Sequence, residues 1–149
     1  MRLAPPADCP QTLVSVINQQ CARAMPITIT PLYAAPIVVL FMYLSVRVIR
    51  YRRGNRIAFG DQGDKALLRL IRAQGNCAEY APIGLLLMLM AEGTGAHGVT
   101  LHLAGALLVI GRATHGIGLA HFPRVIPCRV VGILATFTSY ILFLALALF

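Results

Sequence analysis

The chain has 149 residues, of which 58% are hydrophobic and 12% charged, and it contains no Trp. A soluble domain of this length would show polar faces along most of its helices, so the composition excludes an ordinary globular protein and points to a polytopic membrane protein. The net charge is +8, but arginines that flank apolar spans serve as topology signals and anchors to anionic lipid headgroups, so the charge does not imply nucleic acid.

Residues 1–30 read as a flexible N-terminal extension, rich in Pro, Gln and Thr and without a spanning segment. Leu13 to Ile17 is too short for the apolar region of a signal peptide, and Met25 stands just ahead of the clear pattern as a candidate natural start. The four cysteines, Cys9, Cys21, Cys77 and Cys128, show no C-x-x-C pairing and no histidines at zinc spacing, so no metal site is expected. A Cys9–Cys21 disulfide would require an oxidising side of the membrane, whereas Cys77 and Cys128 read as small packing residues.

The rest of the chain, 31–149, reads as an all-α, integral membrane bundle of four transmembrane helices. The spacing of apolar runs predicts spans at about 31–51, 65–92, 98–119 and 125–148. The first opens at Pro31 and is closed by the positive stretch Arg50 to Arg56. A helix N-cap is expected near Asp61 or Asp64 ahead of the second. In that second helix Ala73, Cys77 and Ala81 form a small-residue stripe that allows close helix approach, and Pro82 is expected to bend it. Glu92 to Gly98 reads as a glycine-rich hairpin turn. Basic residues gather after the first span and between the third and fourth. The positive-inside rule therefore predicts both termini outside, with the 1–2 and 3–4 loops cytoplasmic.

The stretch that carries chemistry is Arg72-Ala73-Gln74-Gly75-Asn76-Cys77-Ala78-Glu79. Arg72, Asn76 and Glu79 fall on one helix face at i, i+4 and i+7. Ionisable groups in a membrane interior persist when they face a partner or a wet cavity, so two readings stand: an internal Arg–Glu pair that locks packing, or a polar pocket. Depth favours the pocket. Arg47, the Arg112–His115 pair and Arg129 all lie near the same end of their spans, while the opposite end carries little besides Thr and Ser. The excess of arginine over carboxylate implies an anionic guest, with Glu79 answering an ammonium group or orienting an arginine.

The motif Arg72-Ala73-x-x-Asn76-x-x-Glu79, followed by Pro82, resembles the MAPEG family, the membrane-associated proteins in eicosanoid and glutathione metabolism. Arg112 with His115, and Arg129 at the start of the fourth span, also fall where that family has polar residues. The resemblance is to its short bacterial members and covers residues 31–149. It implies a homotrimer in a bacterial inner membrane, binding glutathione as co-substrate between neighbouring subunits near the cytoplasmic side. It further implies that Arg72, Asn76, Glu79, Arg112 and His115 bind glutathione. Arg129, or Arg124 in its place, would stabilise the thiolate. The partners implied are a second and third copy of the chain, membrane lipid and a lipophilic small molecule. The activity implied is that of a glutathione-dependent transferase or peroxidase acting on a lipophilic electrophile. Three departures stand against it: Gly75 where family members can have Arg, and Leu119 and Ile133 where they can have Tyr. These leave open a non-catalytic membrane protein that keeps the scaffold and binds another anion or a lipid.

Overall fold

The computed structural model describes residues 27–120 and 126–149. The expectations for residues 1–26 of the N-terminal extension, with Cys9 and Cys21, and for Arg124 fall outside these residues. Four antiparallel helices make up the described chain: α1 (Ile29–Asn55), α2 (Lys65–Gly93), α3 (Gly98–Ala120) and α4 (Ile126–Leu148). α1, α3 and α4 are long and apolar enough to cross a membrane on composition alone. α2 is the longest, at 29 residues, and carries Lys65, Arg69, Arg72, Asn76 and Glu79 in its first half.

α1 runs past Arg50 through most of the positive stretch expected to close it, to Asn55. Arginine is a good helix former and its long stem reaches water, so the helix has no reason to stop where the apolar run does. It ends instead at Arg56, whose left-handed φ of 55° turns the chain while the Ile57 N–H donates to the Arg52 carbonyl at 3.0 Å. Asp64, not Asp61, caps α2. Its carboxylate accepts from Ala66 N–H at 2.7 Å and Leu67 N–H at 3.1 Å, and from the Tyr51 hydroxyl at 2.8 Å. That last bond ties the end of α1 to the start of α2.

The core is built on the α2 stripe. Ala73, Cys77 and Ala81 are buried, and the row continues through Gly84, Met88 and Ala91. Ile37 and Leu44 of α1, Leu101, Ala104 and Leu108 of α3 and Phe143 of α4 pack with it. α1 contacts α2 and α3 but not α4 among the described residues. Closest approach comes between α3 and α4. A Cβ placed on Gly132 would lie 2.6 Å from His115 N and 2.7 Å from the Gly111 carbonyl. Only glycine lets these two backbones touch. The outward faces carry exposed Val39, Met42, Leu103, Leu134 and Ile141, the inverse of a soluble surface and what hydrocarbon requires.

At the end opposite the basic loops, the structure departs from the expectation of a simple hairpin with little polar character. Glu92 is buried, 6% exposed, and its carboxylate reaches across to the N-terminus of α1. One oxygen accepts from Thr28 N–H at 2.5 Å and Ile29 N–H at 2.6 Å, the other from Thr30 N–H at 2.7 Å. A carboxylate in the last turn of α2 opposes that helix's own dipole. Here it satisfies the orphan donors of another helix, where negative charge is favoured.

Candidate functional site

Between α2, α3 and α4, at the end that carries the basic loops, lies a cavity of about 540 Å³. Its wall is formed by Arg72, Asn76 and Glu79 of α2, His115 of α3 and Arg129 of α4, interleaved with Ile71, Gly75, Leu119 and Ile133. The one-face spacing on α2 explains why its three polar residues arrive together: seven residues of helix advance about 10 Å and return to the same side. The antiparallel arrangement then brings the last turns of α3 and the first turn of α4 to the same depth.

Arg72 and Glu79 line this cavity without pairing. Among the described residues neither makes a hydrogen bond or an ion pair. The reading of the two as a packing lock therefore has no bond to rest on among the described residues. Arg129 presents a further unsatisfied group, since its Nε is buried and has no hydrogen-bond partner among the described residues. Leaving a buried charged donor unpaired is costly, and such a group is a place where a ligand atom gains most.

His115 is 4% exposed, with its Nδ1 3.1 Å from the Arg129 carbonyl. A carbonyl only accepts, so Nδ1 carries the hydrogen and Nε2 is the ring's remaining polar atom. The histidine thus ties the end of α3 to the first turn of α4 and holds Arg129 against the cavity.

Arg112 sits elsewhere. It is 1% exposed and forms no part of the cavity wall. Its Nε donates to Thr136 Oγ1 at 2.9 Å and its Nη1 to Asn76 Oδ1 at 2.8 Å. Its guanidinium carbon lies 5.1 Å from the centre of the Tyr80 ring, a cation–π contact. Tyr140 in turn donates its hydroxyl to the Tyr80 carbonyl. Arg47, expected at the same depth, is not part of the cavity wall, and its Nη2 lies 3.4 Å from the Ala120 carbonyl. Among the described residues no group of three His, Cys, Asp or Glu side chains could hold a metal ion.

The sequence reading did not single out Thr136 or Glu92. Thr136 carries no recognisable signal, since a threonine in an apolar helix is common. Glu92 did carry one: an acid at a helix C-terminus is electrostatically misplaced unless another element needs it. Gly75, Leu119 and Ile133, the three departures from the family's polar pattern, all lie in the cavity wall. The pocket is thus more apolar than the motif alone implies.

A bundle of apolar helices enclosing a polar cavity, with an Arg-x-x-x-Asn-x-x-Glu face on its second helix, defines a class of helical membrane protein. The chain matches the MAPEG family over residues 30–149, and it belongs to that family. It is similar to the inner membrane protein YecN of Escherichia coli strain K12, with 43% identity over 61 residues. That stretch is 41% of this chain and 47% of the relative. The YecN of a second Escherichia coli strain matches to the same extent. The matched region spans about half the length of these curated relatives.

Proposed function

We propose that this protein is an inner-membrane, glutathione-dependent transferase or peroxidase acting on a lipophilic electrophile, and that it works as a homotrimer with its cavity opening to the cytoplasm. The observation that carries the reading is the cavity's unspent polar capacity: among the described residues Arg72 and Glu79 are unpaired and Arg129 Nε is unsatisfied, all lining one cavity. Glutathione offers the complement, with two carboxylates, one ammonium group and a thiol. Arg72 would take a carboxylate through two parallel hydrogen bonds and Glu79 the ammonium. Arg129 beside the sulfur would lower the thiol's pKa and supply a thiolate at neutral pH. The thiolate sulfur would then bond to an electrophilic carbon of a substrate arriving from the bilayer, as the carbon's bond to its leaving group breaks and that group departs with the electron pair. On a hydroperoxide it would bond to the terminal oxygen as the O–O bond breaks, giving the sulfenic acid and an alkoxide that takes a proton from water to leave as the alcohol. Arg72 and Glu79 are exposed on the single chain, so neighbouring subunits packed against α2 would enclose them in a trimer.

The test is calorimetric titration of glutathione into the detergent-purified protein, with thiolate absorbance followed in parallel. Saturable binding that disappears in Arg72→Ala while the trimer persists, together with thiolate formation at neutral pH, supports the reading. Absence of binding into the millimolar range overturns it.

A second reading has its own observation. Leu119 and Ile133 present hydrocarbon to the cavity at positions where a robust transferase would use tyrosine hydroxyls. On that reading the scaffold binds another anion or a lipid without chemistry. Glutathione that binds but keeps its ordinary thiol pKa would favour it.

A further inference from the structure

We propose that Arg112 is a positioning residue that fixes Asn76 as a hydrogen-bond donor toward the cavity. The ligand group bound at Asn76 is then an acceptor, a carbonyl or carboxylate oxygen, and not an amine or amide N–H. The argument begins with a donor count. A guanidinium offers only donors, so the 2.8 Å contact from Arg112 Nη1 can be satisfied only by the oxygen of the Asn76 amide. The two ends of an asparagine amide are otherwise nearly indistinguishable, but here the chemistry of the partner allows one orientation. The Asn76 NH₂ is left over. It makes no hydrogen bond to the described residues, and Asn76 is part of the cavity wall.

The surroundings of Arg112 strengthen the effect. None of its hydrogen-bond partners is a carboxylate, and its Nη2 is buried without a partner among the described residues. A buried cation with no carboxylate partner among the described residues polarises the amide it holds and leaves the cavity side of Asn76 electropositive. Thr136 sets the direction of the guanidinium. Its Oγ1 accepts from Arg112 Nε at 2.9 Å while donating its own hydrogen to the Gly132 carbonyl at 2.8 Å. The chain of bonds thus runs from the α3–α4 contact, through Arg112, to the cavity wall. Naming the acceptor as a glutathione carboxylate or carbonyl rests on the function proposed above. The orientation of the amide does not.

Heteronuclear NMR of the asparagine side-chain amides, with thermal unfolding and glutathione titration alongside, tests this. In the wild-type protein the Asn76 NH₂ should exchange with cavity water and shift when glutathione is added. Arg112→Met should broaden that signal and weaken glutathione binding by about tenfold, the loss of one charge-assisted hydrogen bond in the chain. Arg112→Lys, which keeps a donor, should restore most of both. Asn76→Asp keeps the acceptor for Arg112, supplies the missing counter-ion and removes the donor, so Tm should rise while glutathione binding is lost. This variant leaves Arg112 in place and decides the matter even where Arg112→Met does not fold. An unchanged Asn76 signal in folded Arg112→Met, or Asn76→Asp with wild-type glutathione affinity, would overturn the proposal. If wild-type protein binds no glutathione while the Asn76 signal still depends on Arg112, the orientation stands and the proposed function falls.

Discussion

The two ends of the bundle use a carboxylate in opposite ways. At the α2–α3 hairpin Glu92 accepts three backbone N–H groups at 2.5–2.7 Å and is buried. Across the bundle Glu79 lies on a cavity wall, exposed, with no partner among the described residues. Both sit on the same helix, 13 residues apart. A carboxylate whose lone pairs are all engaged holds structure together, whereas one left open is available to a guest. The same contrast separates the arginines: Arg112 is engaged behind the wall, and Arg72 and Arg129 keep capacity to spare.

This contrast can be broken at either end. The largest expected effect is at the clasp. Glu92→Ala strands three N–H groups at the start of α1 and should cost roughly 2–3 kcal/mol, the scale for hydrogen bonds to a charged group. The loss would be read as a large drop in Tm in detergent, and Glu92→Gln should recover part of it. Glutathione affinity per folded molecule should be unchanged in both. At the cavity the pattern should invert. Glu79→Gln and Arg72→Ala should leave Tm near wild type and abolish measurable glutathione binding by calorimetry. A Tm loss in them matching that of Glu92→Ala would mean the open groups are structural after all.

Between these lies the α3–α4 contact. Gly132→Ala drives a methyl into the His115 and Gly111 backbones and should cost about 1–3 kcal/mol, the range for overpacking a close contact. Because it displaces His115 from the Arg129 carbonyl, it should weaken ligand binding as well as Tm, coupling the two ends that the other variants separate.

The smallest effect is at Asp64, outside the membrane. The Tyr51 hydroxyl first, then the Leu67 and Ala66 N–H groups, hold its carboxyl below the ordinary carboxylate range. A pKa lowered on folding contributes stability that is full above the unfolded value of about 3.9 and is lost as pH falls through the folded one. Tm should therefore decline more steeply below about pH 4 in the wild type than in Asp64→Asn. Equal slopes would mean that the cap is neutral.

Much of the fold was legible because hydrocarbon imposes a simple code. Apolar runs mark the helices, Ala73-x-x-x-Cys77-x-x-x-Ala81 marks the packing stripe, and the i, i+4, i+7 face of α2 marks the cavity wall. The basic end of α1 was harder to read, because where a helix leaves the membrane and where it ends are different questions. Arg112 was legible as a polar residue at the right depth but not in its orientation. One helical register step separates a side chain that lines a cavity from one that supports the wall behind it.

What the sequence determines by itself is the set of helices, the membrane as their solvent and the family to which they belong. Periodicity and hydropathy are local and need no partner to be read. Which polar groups are satisfied was decided only by the tertiary structure. Pairing depends on distances between residues far apart in the chain: Glu92 with Thr28, Ile29 and Thr30, Arg112 with Asn76 and Thr136, and Arg72 and Glu79 with nothing described in this chain. Whether a buried charge is a clasp or a site is settled at that level, because its cost depends on the few ångströms to its nearest partner.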